Sequence, residues 1–157
     1  MIKSKVRIAL VAAAAALTCS AGFAQSMNME VKASVTGTCK MVAANALDFG
    51  TLDPVLAPAV TGKTTTIQYL CTKGKAPTSI TIDGDNDGAY TGAMTHATLA
   101  AETIAFSLAW NSTLQAGAGM GAGKEISMTV TGAIGSGVYS NNAAGNYSVM
   151  LPVVLTP

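Results

Sequence analysis

The chain has 157 residues, of which 11% are charged and 5% aromatic, with nine basic residues against eight acidic ones. Those numbers leave room for one ordinary domain. They count against nucleic acid as a partner, because there is no basic surplus to track phosphates and there are few rings to stack bases.

The first element is an export signal over residues 1–24. Lys3, Lys5 and Arg7 precede an apolar stretch from Ile8 to Leu17, and Ala21-Gly22-Phe23-Ala24 forms a small-residue exit. That stretch is too short to cross a bilayer, and no stop-transfer pattern follows it. Cleavage after Ala24 removes three of the nine basic residues, which leaves six against eight acidic ones. A surface so poor in charge suits a protein that assembles with itself.

Behind the signal the chain alternates. Met27, Met29, Val31, Ala33 and Val35 are apolar, while Ser26, Asn28, Glu30, Lys32 and Ser34 are polar or charged. A strand repeats every two residues, so the five apolar side chains share one face. Residues 25–36 therefore read as a strand that can be donated to an open sheet edge in another copy. The alternative reading, that they form the edge strand of the chain's own closed domain, stays open at this point.

Residues 37–157 read as a β domain. Gly37 breaks the alternation, and Cys39 to Val42 forms a short strand. Leu47-Asp48-Phe49-Gly50-Thr51-Leu52 reads as another, closed by Asp53-Pro54. Thr64 to Cys71 places Thr65, Ile67, Tyr69 and Cys71 on one inner face. Thr78 to Ile82 is a short strand that runs into Asp83-Gly84-Asp85-Asn86-Asp87-Gly88. Residues 94–102 read as the one helical stretch. Thr103 to Trp110 turns Ile104, Phe106, Leu108 and Trp110 inward. Gln115 to Gly123 reads as a loop too rich in glycine and alanine to hold a conformation alone. Glu125 to Ile134 turns Ile126, Met128, Val130 and Gly132 inward. The last strand alternates Tyr147, Val149, Leu151, Val153 and Leu155 with Ser148, Met150, Pro152, Val154 and Thr156.

Short strands separated by turn signals, with no amphipathic helix of normal length, give an all-β sandwich. Pro152 cannot donate to a ladder, so it puts the last strand at an edge or beside a gap. Cys39 and Cys71 survive processing, and an even count in an exported chain reads as one disulfide. Closing that loop stabilises the fold by roughly 3–4 kcal/mol in the chain-entropy model.

Few residues carry chemistry. Asp83, Asp85 and Asp87 with Gly88 match the opening of a calcium loop, but Met94 stands where the bidentate glutamate belongs. The same run also reads as a polar turn. Ala57 to Thr64 fits a relaxed phosphate-loop pattern only by chance, since Pro58 leads into a threonine-rich strand and no helix follows. His96 is the only histidine, and with no base–nucleophile or zinc-ligand set the chain reads as no enzyme and needs no cofactor. Trp110 and the methionines read as core filling.

Thr38-Cys39 after an alternating segment, Leu47 to Leu52, the strand ending in Cys71, Ile104 to Leu108, and Ala144-Gly145-Asn146-Tyr147 leading to Val153 through Thr156 resemble the archaic chaperone–usher pilins with a spore-coat-protein-U domain. The resemblance spans the whole mature chain. It implies an incomplete immunoglobulin-like sandwich lacking its last strand, completed by the amino-terminal strand of a neighbouring subunit. On that basis Met27, Met29, Val31, Ala33 and Val35 would fill an acceptor groove flanked by Tyr147, Val149, Leu151, Val153 and Leu155. Cys39 and Cys71 would match the family's disulfide. The implied partners are other copies or sibling pilins, a periplasmic chaperone and an outer-membrane usher. The implied destination is an extracellular pilus, reached through the periplasm and serving adhesion and biofilm formation. The chain departs from the pattern at Pro152 and at Pro157. The alternative expectation is a secreted carbohydrate-binding β-sandwich with a calcium loop at Asp83, Asp85 and Asp87.

Overall fold

A computed structural model describes residues 26–157; the expected export signal at 1–24 lies outside them. Two units separate, one ending at Ser34 and one spanning Val35–Pro157. Within the first, Ser26 to Ser34 joins no strand, and Lys32 Nζ pairs with Glu30 Oε1 at 2.7 Å.

The second unit holds eight strands: β1 (Cys39–Ala44), β2 (Val60–Cys71), β3 (Ser79–Ile82), β4 (Ala89–His96), β5 (Thr103–Trp110), β6 (Ile126–Ile134), β7 (Tyr147–Ser148) and β8 (Val153–Thr156). No helix occurs among the described residues. Six strands form one curled sheet in the order β1-β2-β6-β5-β4-β7, and β3 pairs with β8 in a second. Every strand pair is antiparallel. The architecture is all-β and consistent with an immunoglobulin-like sandwich.

Register defines two poles. At the lower pole Cys39 faces Cys71 and Ile126 faces Tyr69. At the upper pole Val60 faces Ile134, Thr95 faces Thr103, and His96 faces Tyr147. The core lies between the sheets. Ile80 and Ile82 from β3 join Ile67, Tyr69, Phe106, Leu108, Met128 and Val130 in one buried cluster. In β5 the alternation is complete, with Ile104, Phe106, Leu108 and Trp110 buried and their neighbours exposed. The Cys39–Cys71 disulfide closes the lower pole.

Three expectations need correction and a fourth is refined. Residues 94–102 contain no helix: β4 runs through Met94 to His96, and Leu99 to Ala101 form a turn. Tyr90, Gly92, Met94 and His96 already alternated inward, and that period of two outweighed the helix-forming residues after them. Leu47 to Leu52 is not a strand, because the Asp48 side chain accepts from Gly50 N at 2.7 Å and Gly50 takes a φ of 79°. The loop at 115–123 is fastened to the core. Tyr69 Oη accepts from Gln115 N at 3.1 Å, and Gly119 N donates to the Cys71 carbonyl at 3.2 Å. Gly117 lies so close to Cys71 that a Cβ would strike its backbone. Finally, residues 147–155 are not one strand. The segment breaks between Ser148 and Val153 and passes from the larger sheet to the smaller.

Candidate functional site: an open groove beside the last strand

An apolar groove of about 440 Å³ opens on the second unit. One wall is the chain leaving β1, from Ala44 to Leu47 with Phe49; the other is Tyr147 to Leu151 with Val153. Its floor comes from the core: Ile67 of β2, Ile82 of β3, Met94 of β4, Phe106 and Leu108 of β5, and Val130 of β6. A second hollow of about 480 Å³ continues toward the upper pole. It shares Leu47, Phe49, Met94 and Tyr147 with the first, and adds Asp48 and Asn142 to Asn146. The groove is thus apolar below and more polar above.

Local sequence explains the walls. The Asp48–Gly50 turn buries the Phe49 ring, whose centroid lies 6.1 Å from that of Phe106. Gly132 lies beneath Leu47 and Phe49, and a Cβ there would contact both side chains. On the far wall His96 is buried. Its Nδ1 accepts from Thr98 N and Leu99 N, both at 3.1 Å. With two backbone donors aimed at Nδ1, the neutral ring carries its proton on Nε2 and donates to the Ala144 carbonyl at 3.2 Å. The Tyr147 ring meets His96 edge-on at 5.0 Å, and its hydroxyl donates to the Ala143 carbonyl at 2.7 Å. His96 is a splint that holds the start of the last segment against β4.

Of the five expected groove residues, Tyr147, Val149, Leu151 and Val153 line the wall. Leu155 lies below, half-buried and packed on the core. Of the floor residues, Ile67, Phe106, Leu108 and Val130 read as inward-facing in the sequence but not as groove, and Ile82 and Met94 are assigned no inward face there.

The edge of β8 completes the site. In an antiparallel ladder the N–H and C=O of one residue point to the same side, and successive residues alternate. Asp83 N donates to the Pro152 carbonyl at 2.8 Å, and Thr78 N to the Thr156 carbonyl at 2.7 Å. Pro152, Val154 and Thr156 therefore face β3. Val153 and Leu155 direct their backbone groups away from β3, and β8 pairs with no other strand among the described residues. The N–H that Pro152 lacks belongs to the side already occupied by β3. Its departure from the pattern leaves the open edge intact.

The expected donor residues carry exposed apolar side chains. Met27, Met29, Val31 and Val35 are 91%, 85%, 81% and 84% accessible, and Ala33 is also exposed.

The aspartate-rich run is committed elsewhere. Asp83 Oδ2 accepts from the Tyr90 hydroxyl at 2.9 Å, and Asp87 Oδ1 accepts from Ala89 N at 3.1 Å. The bond to Asp83 raises the Tyr90 hydroxyl above its ordinary pKa of 10.0, with slight burial and the charges of Asp83 and Asp85 adding to it. No group of three His, Cys, Asp or Glu side chains among the described residues is placed to hold a metal ion.

These features define a class: an all-β domain whose open apolar groove lies beside a strand with one unused edge. Residues 25–153 match the Spore Coat Protein U domain, so the chain belongs to that family. The family is associated with pilus and fimbrial subunits and with surface-exposed or extracellular proteins. No curated protein and no solved structure matches the chain.

Proposed function

We propose that this protein is a structural subunit of an extracellular chaperone–usher pilus, polymerised by strand donation and supporting adhesion and biofilm formation. The observation that carries the reading is the groove, whose apolar lining reaches Val153, where the unused backbone edge of β8 begins. Residues 27–35 supply what that edge lacks: an extended run with apolar side chains on one face and polar ones on the other. No catalytic step and no cofactor enters.

The energetics require pairing and burial together. Four large apolar side chains contribute about 6–12 kcal/mol on burial, and Ala33 adds about 1 kcal/mol or less. Ordering nine residues costs about 9–18 kcal/mol. Ladder hydrogen bonds at about 1 kcal/mol each tip the balance. The strand must leave as a unit, so durability is largely kinetic. Before assembly the same groove is an exposed apolar surface, which a periplasmic chaperone would cover with a strand of its own until an outer-membrane usher exchanges it for the next subunit.

The test compares the mature protein with a version lacking residues 25–35, on an unheated denaturing gel and by electron microscopy. The proposal expects a detergent-resistant ladder and thin fibres that vanish with the truncation. Stable monomer in both would overturn it.

A further inference from the structure

The two poles of the second unit differ in charge, while Asp83, Asp85 and Asp87 lie between them on the turn that joins β3 to β4. At the lower pole Lys40 pairs across from Leu70, Lys73 bridges to Gly117, and the Lys75 side chain packs on Gly37. Lys124 is also there, offset by its neighbour Glu125. At the upper pole Asp48 rims the upper hollow. Asp53 opens the turn whose Ala57 carbonyl accepts from Gly137 N, just beyond β6. Glu102 Oε2 accepts from Ala143 N at 3.4 Å. Lys63 is the one cation in that half. None of these groups forms an ion pair within the described chain, where the only ion pair is Lys32–Glu30.

The chain leaves this unit at the lower pole. Thr38 N donates to Thr72 Oγ1 at 3.1 Å, and Thr72 N donates to the Thr38 carbonyl at 2.9 Å. A strand leaving there enters the groove of the next copy in one of two directions. Running antiparallel to residues 147–156, its Val35 end lies at the acceptor's upper pole. Lys40, Lys73 and Lys75 of the donor copy then face Asp48, Asp53 and Glu102 of the acceptor. Running parallel, two lower poles meet, lysine against lysine, where the acceptor's own strand departs.

We propose that successive copies dock head to tail through this contact, with the lysine pole of each copy on the acidic upper pole of the next, and that the contact sets the strand's direction. The inference rests on the strand-donation reading above. Opposed charges steer encounter and disfavour the wrong orientation.

The test is a charge swap in the mature protein. One variant carries Lys73→Glu and Lys75→Glu; the other carries Asp48→Lys and Asp53→Lys. Thermal melting first shows that each is folded, and ladder formation is then followed at low and high salt. Each variant alone should assemble about tenfold or more slowly than wild type at low salt, with the difference lost at high salt. Mixed, they should recover the wild-type rate and form alternating copolymers, since every mixed contact again joins opposite charges. If the acidic-pole variant is unfolded, the lysine variant and the salt dependence of wild type carry the test. Unchanged rates in the lysine variant, or a mixture no faster than either variant, would overturn the contact while wild-type polymer still depends on residues 25–35. Wild type that forms no such polymer would instead overturn the strand-donation reading.

Discussion

Replacing Val31 by Ser, and separately Lys32 by Ser, separates the two faces of the proposed donor strand at adjacent positions. Val31 is 81% accessible, so nearly its whole side chain is available for burial in a neighbour's groove. Fully burying a valine contributes about 1.5–3 kcal/mol, and a serine in its place forfeits most of that and buries a hydroxyl. At 1.4 kcal/mol per tenfold, the subunit–subunit linkage should weaken by roughly 10- to 100-fold. Lys32 lies on the opposite face. Its exposed pair with Glu30, 2.7 Å long, is worth about 0–1 kcal/mol, so its loss should change the linkage by less than about fivefold. The assay is the rate at which preformed polymer falls to monomer in guanidinium, read as loss of the ladder on an unheated gel. A Lys32 variant that dissociates as fast as the Val31 variant would refute the alternation argument. So would a Val31 variant indistinguishable from wild type.

Other consequences concern the fold. Replacing Cys39 and Cys71 together by Ser opens a loop with a sequence separation of 32 and should cost about 3–4 kcal/mol by chemical denaturation. Gly117→Ala should destabilise by about 1–3 kcal/mol, because the added methyl meets the Cys71 backbone. Gly121→Ala, with open space around it, should change stability by less than about 1 kcal/mol in the same melts. His96→Phe should cost about 2–5 kcal/mol by orphaning Thr98 N and Leu99 N, and near-ultraviolet circular dichroism should show Tyr147 losing its fixed environment. Tyr90 carries a pKa raised above 10.0 by its bond to Asp83. The protonated hydroxyl is the form the fold favours, so wild type should exceed Tyr90→Phe in stability at neutral pH. That advantage should fade as pH rises above 10.0 toward the raised folded value; equal stability at all pH values would refute it.

Much of the fold was legible where one face of a strand is buried. In β5 and β6 a period of two could arise only from a sheet with a dry side, and Ile104 to Trp110 and Ile126 to Ile134 fall where that pattern puts them. Legibility failed where tertiary contacts decided. Leu47 to Leu52 has the composition of a strand, yet a single Asp48–Gly50 hydrogen bond turns it into a groove wall. The alternation from Tyr147 to Leu155 correctly assigned most of the half-buried side chains. It did not reveal that the chain changes sheets on the way, because side-chain parity is silent about which partner a backbone finds. The sequence marked Pro152 as an interruption, and it does lie in the break between Ser148 and Val153. What parity could not show is the bond from Asp83 N to its carbonyl, which places it on the side paired with β3. The groove floor was assembled from β2, β3, β4, β5 and β6, and no pattern local to one strand encodes that convergence.

The central claim is that residues 25–35 of one copy pair with the unused edge of β8 in another. Amide hydrogen exchange, read residue by residue on protein lacking residues 25–35, tests it directly when a synthetic peptide of that segment is added. Val154 and Thr156, which face β3, should be protected before and after. Val153 and Leu155 should exchange freely without the peptide and slow by about a hundredfold or more with it, as their amides enter a ladder. Unchanged exchange at Val153 and Leu155 under saturating peptide, or protection at both before any peptide is added, would contradict the account.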